Sequence, residues 1–224
     1  MPTGWYVMTA TEKQHESRIH EPKTHESKTR LLNAALHVIR SRGYSAMRIE
    51  DVCEAAGLTK GSFFHHFKSK EELALAAAEH FYFMADSLFA AAPYRSLPDP
   101  LDRLLGYVDF RNLFLQGELP EFTCLLGTMV QETYQTHPLI LEACARYLAA
   151  HAATLEADVA AAMDKYGVHT AGSAKSLALH MQAVIQGAFI LAKATGGPAV
   201  ASACLDHLRR YIELLFRTAP KETA

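Results

Sequence analysis

From Glu26 onward, apolar residues recur at helical spacing. Leu31, Leu32, Ala35, Val38 and Ile39 share one face, Ser27 stands where a cap belongs, and Gly43 ends the run, which predicts a first helix of four to five turns. Ile49, Val52, Cys53 and Ala56 mark a second, short helix that stops at Gly57. A third opens with Thr59 as N-cap and carries Phe63, Phe64 and Phe67. After Ser69 comes a long run of strong helix formers, with Glu71 and Glu72 in the first turn where they complement the helix dipole. Pro93, Pro98 and Pro100 interrupt it, and amphipathic segments follow at about 101–116, 120–135, 138–165, 171–194 and 199–217. Pro120, Pro138, Gly167 and the Gly196-Gly197-Pro198 run separate most of them. No alternating β-branched stretch competes, so the pattern predicts an all-α chain of about nine helices. Residues 1–24 are polar without periodicity and read as a flexible arm, with Met8 a candidate start. The expected organisation is an arm (1–24), a three-helix head (25–70) and a helical domain (71–224).

The stretch Ile49 to Phe67 (IEDVCEAAGLTKGSFFHHF) is the informative one. Two short helices meet at Gly57, where a left-handed residue lets the second leave at a steep angle, and Ala55 and Ala56 permit a close crossing. This is the spacing of a helix-turn-helix, whose second helix enters the DNA major groove with its N-terminal residues at base edges. Gly61 and Ser62 are small enough for close approach, while Lys60 and His65 project outward. By spacing alone, a plain helical hairpin in a bundle fits equally well.

Charge separates these readings further. Residues 1–70 hold 11 Lys and Arg against 7 Asp and Glu, whereas the remainder holds 11 against 17, so the front is basic and the back acidic within an overall net charge of −2. That asymmetry suits a nucleic-acid-binding head joined to a domain that does not bind nucleic acid. Hydrophobic residues make up 50% and charged residues 21%, the balance of a folded globular protein. Cys53, Cys124, Cys144 and Cys204 lie far apart without zinc-ligand spacing, and neither a signal peptide nor an 18-residue apolar run is visible. A cytoplasmic protein with reduced thiols is the expectation.

The segment GLTKGSFFHHF, followed by KSKEEL, resembles the DNA-binding head of the TetR/AcrR family of bacterial regulators, and KTRLLNAALHVIRSRGY resembles that family's first helix. The resemblance covers residues 27 to about 75. It implies an obligate homodimer, a ligand cavity in the C-terminal helices, and repression of transcription through a palindromic operator. Carried over residue by residue, it gives Arg48 a base or phosphate contact. It places Lys60, Gly61, Ser62 and His65 on the base- or backbone-facing side, with Thr59 as cap, and gives His66 and Lys70 phosphate contacts. Two positions depart from the family pattern. Met47 replaces a common Thr, whose hydroxyl Ser45 can supply, and Phe64 replaces a common Tyr, leaving stacking or thymine-methyl contact.

Elsewhere, large rings and sulfurs gather in the middle segments: Phe81, Phe83, Met84, Tyr107, Phe110, Phe114, Phe122, Met129, Tyr134 and Tyr147. Most belong to a core, yet Arg111, Gln131, Glu132, His151, Gln182 and Gln186 sit within or beside the same stripes. An apolar cavity with a few placed polar groups is how a small-molecule site is built. Tyr107, Phe110, Phe114, Phe122, Met129 and Gln186 are the candidate lining, for a small, largely apolar or aromatic effector rather than a sugar phosphate. Cys124, at a helix start, is a candidate sensor thiol, against the commoner inert buried thiol. Leu177, Met181, Val184 and Ala188, with Leu205, Leu208 and Ile212, form the candidate dimer interface. Twelve histidines suggest metal, but those after position 80 are dispersed, and His15, His20 and His25 suit no helix face, so no metal and no cofactor are expected. GxSxG, HExxH and glycine-rich phosphate loops are absent, so an enzyme is not expected. The rival reading is an α-helical small-molecule-binding protein or enzyme whose helix-turn-helix is only structural.

Overall fold

The computed structural model describes residues 23–168 and 172–217. The expected arm lies outside the described residues up to residue 22, His15 and His20 included, while Lys23 and Thr24, expected in the arm, begin α1. In chain order the helices are α1 (Lys23–Arg42), α2 (Ile49–Ala56), α3 (Lys60–His66), α4 (Lys70–Ala90), α5 (Pro100–Leu113), α6 (Leu119–Phe122), α7 (Leu125–Thr133), α8 (Pro138–Tyr166), α9 (Ala174–Thr195) and α10 (Ala199–Arg217). A 3-10 turn, Pro93–Ser96, precedes α5. Among the described residues all regular structure is helical. The expected 120–135 helix is two helices, because Thr123 and Cys124 are extended and the Cys124 Sγ accepts the Gly127 amide at 3.4 Å, starting a new helix. Ser27 sits inside α1 rather than capping it, since α1 begins a turn earlier.

The chain forms two compact units. One holds the residues up to Ala85 together with Gly117–Tyr147, and the other holds Asp86–Gln116 with Leu148 onward. In the first, Leu31, Ala35 and Ile39 of α1 are buried with Val52 of α2, Phe63 of α3 and Leu73 and Ala77 of α4. The short helices α6 and α7 pack on α1. Phe122 and Met129, expected in a ligand pocket with Tyr107, are fully buried in this unit's core instead. Arg40 is buried too; its guanidinium donates to the carbonyls of Leu36 (3.1 Å) and Glu121 (3.4 Å), and burial lowers its pKa to about 10.

In the second unit, α9 and α10 pack together and α10 packs on α5. α9 is long and apolar enough by composition to cross a membrane, but Leu177, Met181, Ile185 and Phe189 bury its apolar stripe inside the unit, as in a soluble core helix. This packing shifts the expected dimer face. Leu177, Met181, Ala188, Leu205, Leu208 and Ile212 are buried within the chain and Val184 is half-buried, so the seam marked by periodicity is the one that joins α9 and α10 of a single copy. The solvent-facing side of the pair carries Leu179, Ile190, Leu191, Tyr211 and Leu214.

Candidate nucleic-acid interface

α2 and α3 meet through a turn with a specific local cause. Gly57 adopts φ +61°, and Leu58 N donates to the Cys53 carbonyl at 2.9 Å, closing the end of α2. The Arg30 side chain of α1 donates to the carbonyls of Ala56 and Gly57, so the first helix holds the turn from outside. α3 then starts on Thr59, whose hydroxyl accepts the Ser62 amide at 3.2 Å. Phe63 points into the core while Lys60, Gly61, Phe64 and His65 are exposed, Phe64 at 55%.

The cations on this face are tied to acidic neighbours of α2. Lys60 pairs with Glu50, both side chains exposed. Arg48 wraps onto Asp51, donating from its Nε at 3.1 Å and from a terminal nitrogen at 2.7 Å, and these bonds pull the Asp51 carboxyl down to about 2. Lys60 and Glu50 are both more than half exposed, so water screens the pair and Lys60 is available to phosphate or base acceptors at small cost, whereas Arg48 keeps a bidentate hold on the buried Asp51 with most of its own side chain in solvent. His66 is half-buried, its Nε2 2.7 Å from the Ser27 hydroxyl of α1, and burial lowers its pKa. Lys70 donates to the Ser45 carbonyl at 3.0 Å and lies 4.5 Å from the Tyr44 ring centre. Met47 is a core residue, and Ser45 is exposed beside Lys70. Glu132 of α7, marked in the sequence as a polar group beside the ligand stripes, instead accepts the backbone amides of Tyr44 (3.2 Å) and Ser45 (2.7 Å) and so seats the loop that leads into α2. Nothing local could have shown this, because the partners are 88 and 87 residues apart.

The second unit holds a polar cluster among rings. The Tyr107 hydroxyl receives hydrogen bonds from Arg111 Nε (3.0 Å) and Gln182 Nε2 (3.1 Å), and lies 3.0 Å from His151 Nε2. Both lone pairs being taken, its proton goes to His151, which is therefore neutral. Burial, then the charges of Arg111 and Arg95, push the His151 pKa down to about 3. Of the six polar candidates, Arg111, His151 and Gln182 come together here. Gln186 is half-buried one turn further along α9, Gln131 is exposed and donates to the Gly127 carbonyl, and Glu132 belongs to the first unit. Tyr107 is buried, and Phe110 and Phe114 lie edge to face with 4.9 Å between ring centres. No group of three potential metal ligands occurs among the described residues.

Residues 31–77 match the family model described as bacterial regulatory proteins, tetR family, and residues 100–208 match a tetracyclin repressor-like C-terminal domain. The chain belongs to the TetR family. Both models describe regulators, and neither describes an enzyme. The TetR head is similar to that of the transcriptional regulator CymR of Pseudomonas putida, at 49% identity over 53 residues, covering 24% of this chain and 26% of CymR. It is also similar to the transcriptional repressor KstR2 of Mycobacterium tuberculosis, at 39% over 80 residues, 34% of this chain and 38% of the relative. The matched stretches thus span only a part of these curated relatives. The TetR fold extends over both units: a TetR regulator from Agrobacterium tumefaciens superposes with a TM-score of 0.75 at 20% identity, covering 84% of this chain and 98% of the other. A TetR regulator from Chloroflexus aurantiacus gives 0.74 at 25%, covering 85% and 96%.

The neutral His151 of the TetR C-terminal domain makes a stability prediction. Its pKa is depressed in the folded chain, so below the ordinary value of 6.5 the unfolded chain binds the proton that the folded one refuses. Stability from this group is complete above pH 6.5 and falls as the pH drops toward about 3, by about 1.4 kcal/mol per unit at most. Asp51 and Asp99, both held down to about 2, take effect only below about pH 4. Urea midpoints at pH 7 and pH 5 should therefore differ in the wild type and differ less in His151→Gln, where only His66 and His80, whose pKa values burial also lowers, still contribute in this window. Equal slopes in the two proteins would exclude His151 as the cause.

Proposed function

We propose that this TetR-family chain is a dimeric, ligand-responsive transcriptional repressor that binds a palindromic operator through α3 and is released by a small, largely apolar or aromatic effector held in the second unit. The observation that carries the reading is the solvent-facing side of α3. A glycine turn, a threonine cap and a buried Phe63 fix the helix rigidly, while Lys60, Gly61, Ser62, Phe64 and His65 are presented outward with Arg48 beside them. KstR2 is named a repressor, and the likeness of the heads supports carrying that role here. The dimer would form through the outer face of α9 and α10. Release would follow a population shift, in which the effector binds better to the arrangement whose heads do not fit successive major grooves.

Mobility shifts with the DNA upstream of the chain's own gene, at two salt concentrations, test this: a specific complex whose affinity falls with salt is expected, and equal affinity for unrelated DNA would count against it. Within that assay Lys60→Ala and Arg48→Ala should each weaken specific binding by about 1–3 kcal/mol, whereas Lys70→Ala should weaken all sequences alike.

Gly61 offers a cleaner separation of binding from folding. A Cβ there would meet only the Thr59 hydroxyl oxygen at 3.6 Å, an ordinary contact, so the fold does not require glycine. Gly61→Ala should leave the protein as stable or up to about 1 kcal/mol more so, because alanine favours a helix. Yet it should weaken operator binding, because the added methyl stands where the backbone would approach DNA. Unchanged affinity would show that α3 does not approach DNA closely at this position.

A further inference from the structure

We infer that the effector is a monoanionic carboxylic acid with an aromatic body, its carboxylate held by Arg111 and the Tyr94 hydroxyl in the second unit. This deepens the regulator reading above and rests on it.

Charge is the first ground. Asp158 is buried and accepts hydrogen bonds from both Arg95 (2.9 Å) and Arg103 (2.7 Å), so one carboxylate already serves two guanidiniums. Arg111 adds a third cation and forms no ion pair with any described residue; its side-chain partners are the Tyr107 hydroxyl and His151 Nε2, both uncharged. Protonating His151 cannot relieve this surplus and would increase it.

Donors are the second ground. A guanidinium has five N–H groups in a planar fork. Arg111 spends the Nε hydrogen on Tyr107 and one terminal hydrogen on His151, which leaves three, two of them on the terminal nitrogen that makes no bond. One N–H from each terminal nitrogen, the two lying parallel, matches the two oxygens of a carboxylate. The third ground is independent of the arginine. The Tyr94 hydroxyl is buried, on a residue only 5% exposed, and has no hydrogen-bond partner. The Tyr94 ring lies 6.0 Å from that of Tyr107 and 5.7 Å from that of Phe110, the ring one residue before Arg111, and the Arg95 guanidinium lies 5.5 Å from the Tyr94 ring centre. A buried donor left unpaired is costly and is uncommon in finished structures unless something else accepts from it.

The rings packed about Arg111 are the ground for the aromatic body. The Arg111 guanidinium lies 4.3 Å from the ring centre of Phe89, and the Phe110 ring packs edge to face on those of Phe89 (5.6 Å) and Phe114 (4.9 Å). Such rings accommodate an aromatic body. Of the three guanidiniums only Arg111 has no carboxylate partner, and its remaining N–H groups are the ones open to the two oxygens of a carboxylate.

Thermal melts of the full chain at neutral pH supply the test, with benzoate, phenylacetate and 3-phenylpropionate as probes, each beside its neutral amide, and with acetate and inorganic phosphate as ring-free anions. At least one aromatic acid should raise the melting temperature in a dose-dependent way while its amide, acetate and phosphate do not. The half-saturating concentration should rise at least tenfold in Arg111→Gln, and by a smaller factor in Tyr94→Phe, which keeps the ring and removes only the donor. Arg111→Lys, which keeps the charge and loses the fork, covers the case in which the glutamine variant fails to fold, and it too should lose most of the response. An amide or phosphate that stabilises as well as the acids would overturn the assignment. So would variants that respond like the wild type, or a wild type indifferent to every acid at millimolar concentration. Operator binding is measured on the same samples without any acid. Its absence would remove the regulator reading while leaving acid binding to be judged by the melts.

Discussion

Replacing Asp158 by alanine will destabilise the second unit by about 3 kcal/mol, the lower end of what breaking a buried ion pair from one side costs. The carboxylate is buried, while the Arg95 and Arg103 side chains are 29% and 20% exposed, so water recovers part of the loss. What it cannot recover is the geometry. Arg95 follows the 3-10 turn's Tyr94, Arg103 belongs to α5, and Asp158 of α8 ties both to one point, with Arg103 also donating to the Leu97 carbonyl at 3.0 Å. Without the carboxylate, two guanidiniums face each other with Arg111 nearby and no compensating charge. Against a total stability of about 5–15 kcal/mol, such a loss is readily measured in a urea titration. Asp158→Asn should cost a comparable amount, since it preserves shape and removes charge. A loss below about 1 kcal/mol in both variants would show that water already screens the pair.

The head was legible because its punctuation is local. Gly57, the Thr59 cap and the apolar stripe of α1 each act within a few residues, and the structure places the turn and the third helix where those residues indicate. Apolar periodicity runs unbroken through 120–135 and predicts one helix, and only the extended Thr123 and Cys124 divide it into α6 and α7. The larger differences are of another kind. Periodicity marks which stripe of a helix is apolar, but it does not say which surface covers that stripe. Leu205 and Leu208 could serve either α9 of the same chain or a second copy, and the structure gives them to the same chain. Phe122 and Met129 likewise read as pocket rings beside Tyr107, although they fill the core of the first unit.

Polar residues were harder still. Arg111, His151 and Gln182 stood out as polar groups within apolar stripes, which is a sound reason for attention. Arg111 meets Tyr107 at ordinary i,i+4 helical spacing, but His151 and Gln182 reach it over 44 and 75 residues, and no spacing rule reaches that far. Glu132 looked like one more such residue and serves instead to seat Tyr44 and Ser45. Sequence pattern thus found the residue types that a site needs, and tertiary structure decided which of them met.

The same distinction sets the second large effect. Ile190→Glu is expected to give a folded monomer with operator affinity lowered by a factor of a hundred or more. Leu179, Ala183, Gly187 and Ile190 recur at helical spacing on the outer side of α9, and Ala203, His207, Tyr211 and Leu214 do so on α10, with the His180 and Tyr211 rings 5.3 Å apart where the two helices meet. A Cβ on Gly187 would meet nothing within 4 Å, so this stripe leaves room for a second helix to approach closely. Ile190 is 47% exposed in the single chain, and burying it against a copy would contribute up to about 2 kcal/mol per side chain. A glutamate there forfeits that gain and adds the cost of desolvating a charge, and two-fold symmetry counts each loss twice. Together these exceed about 5 kcal/mol, or more than a thousandfold in dimer affinity at about 1.4 kcal/mol per decade. A monomeric head reads one half-site and loses the joint binding that a palindrome rewards. Light scattering and circular dichroism separate the outcomes: monomer with intact helicity supports the interface, and a dimer that still binds operator sinks it. Leu208→Glu is the contrasting control, because Leu208 is buried inside the chain and its replacement should unfold the second unit rather than release a folded monomer.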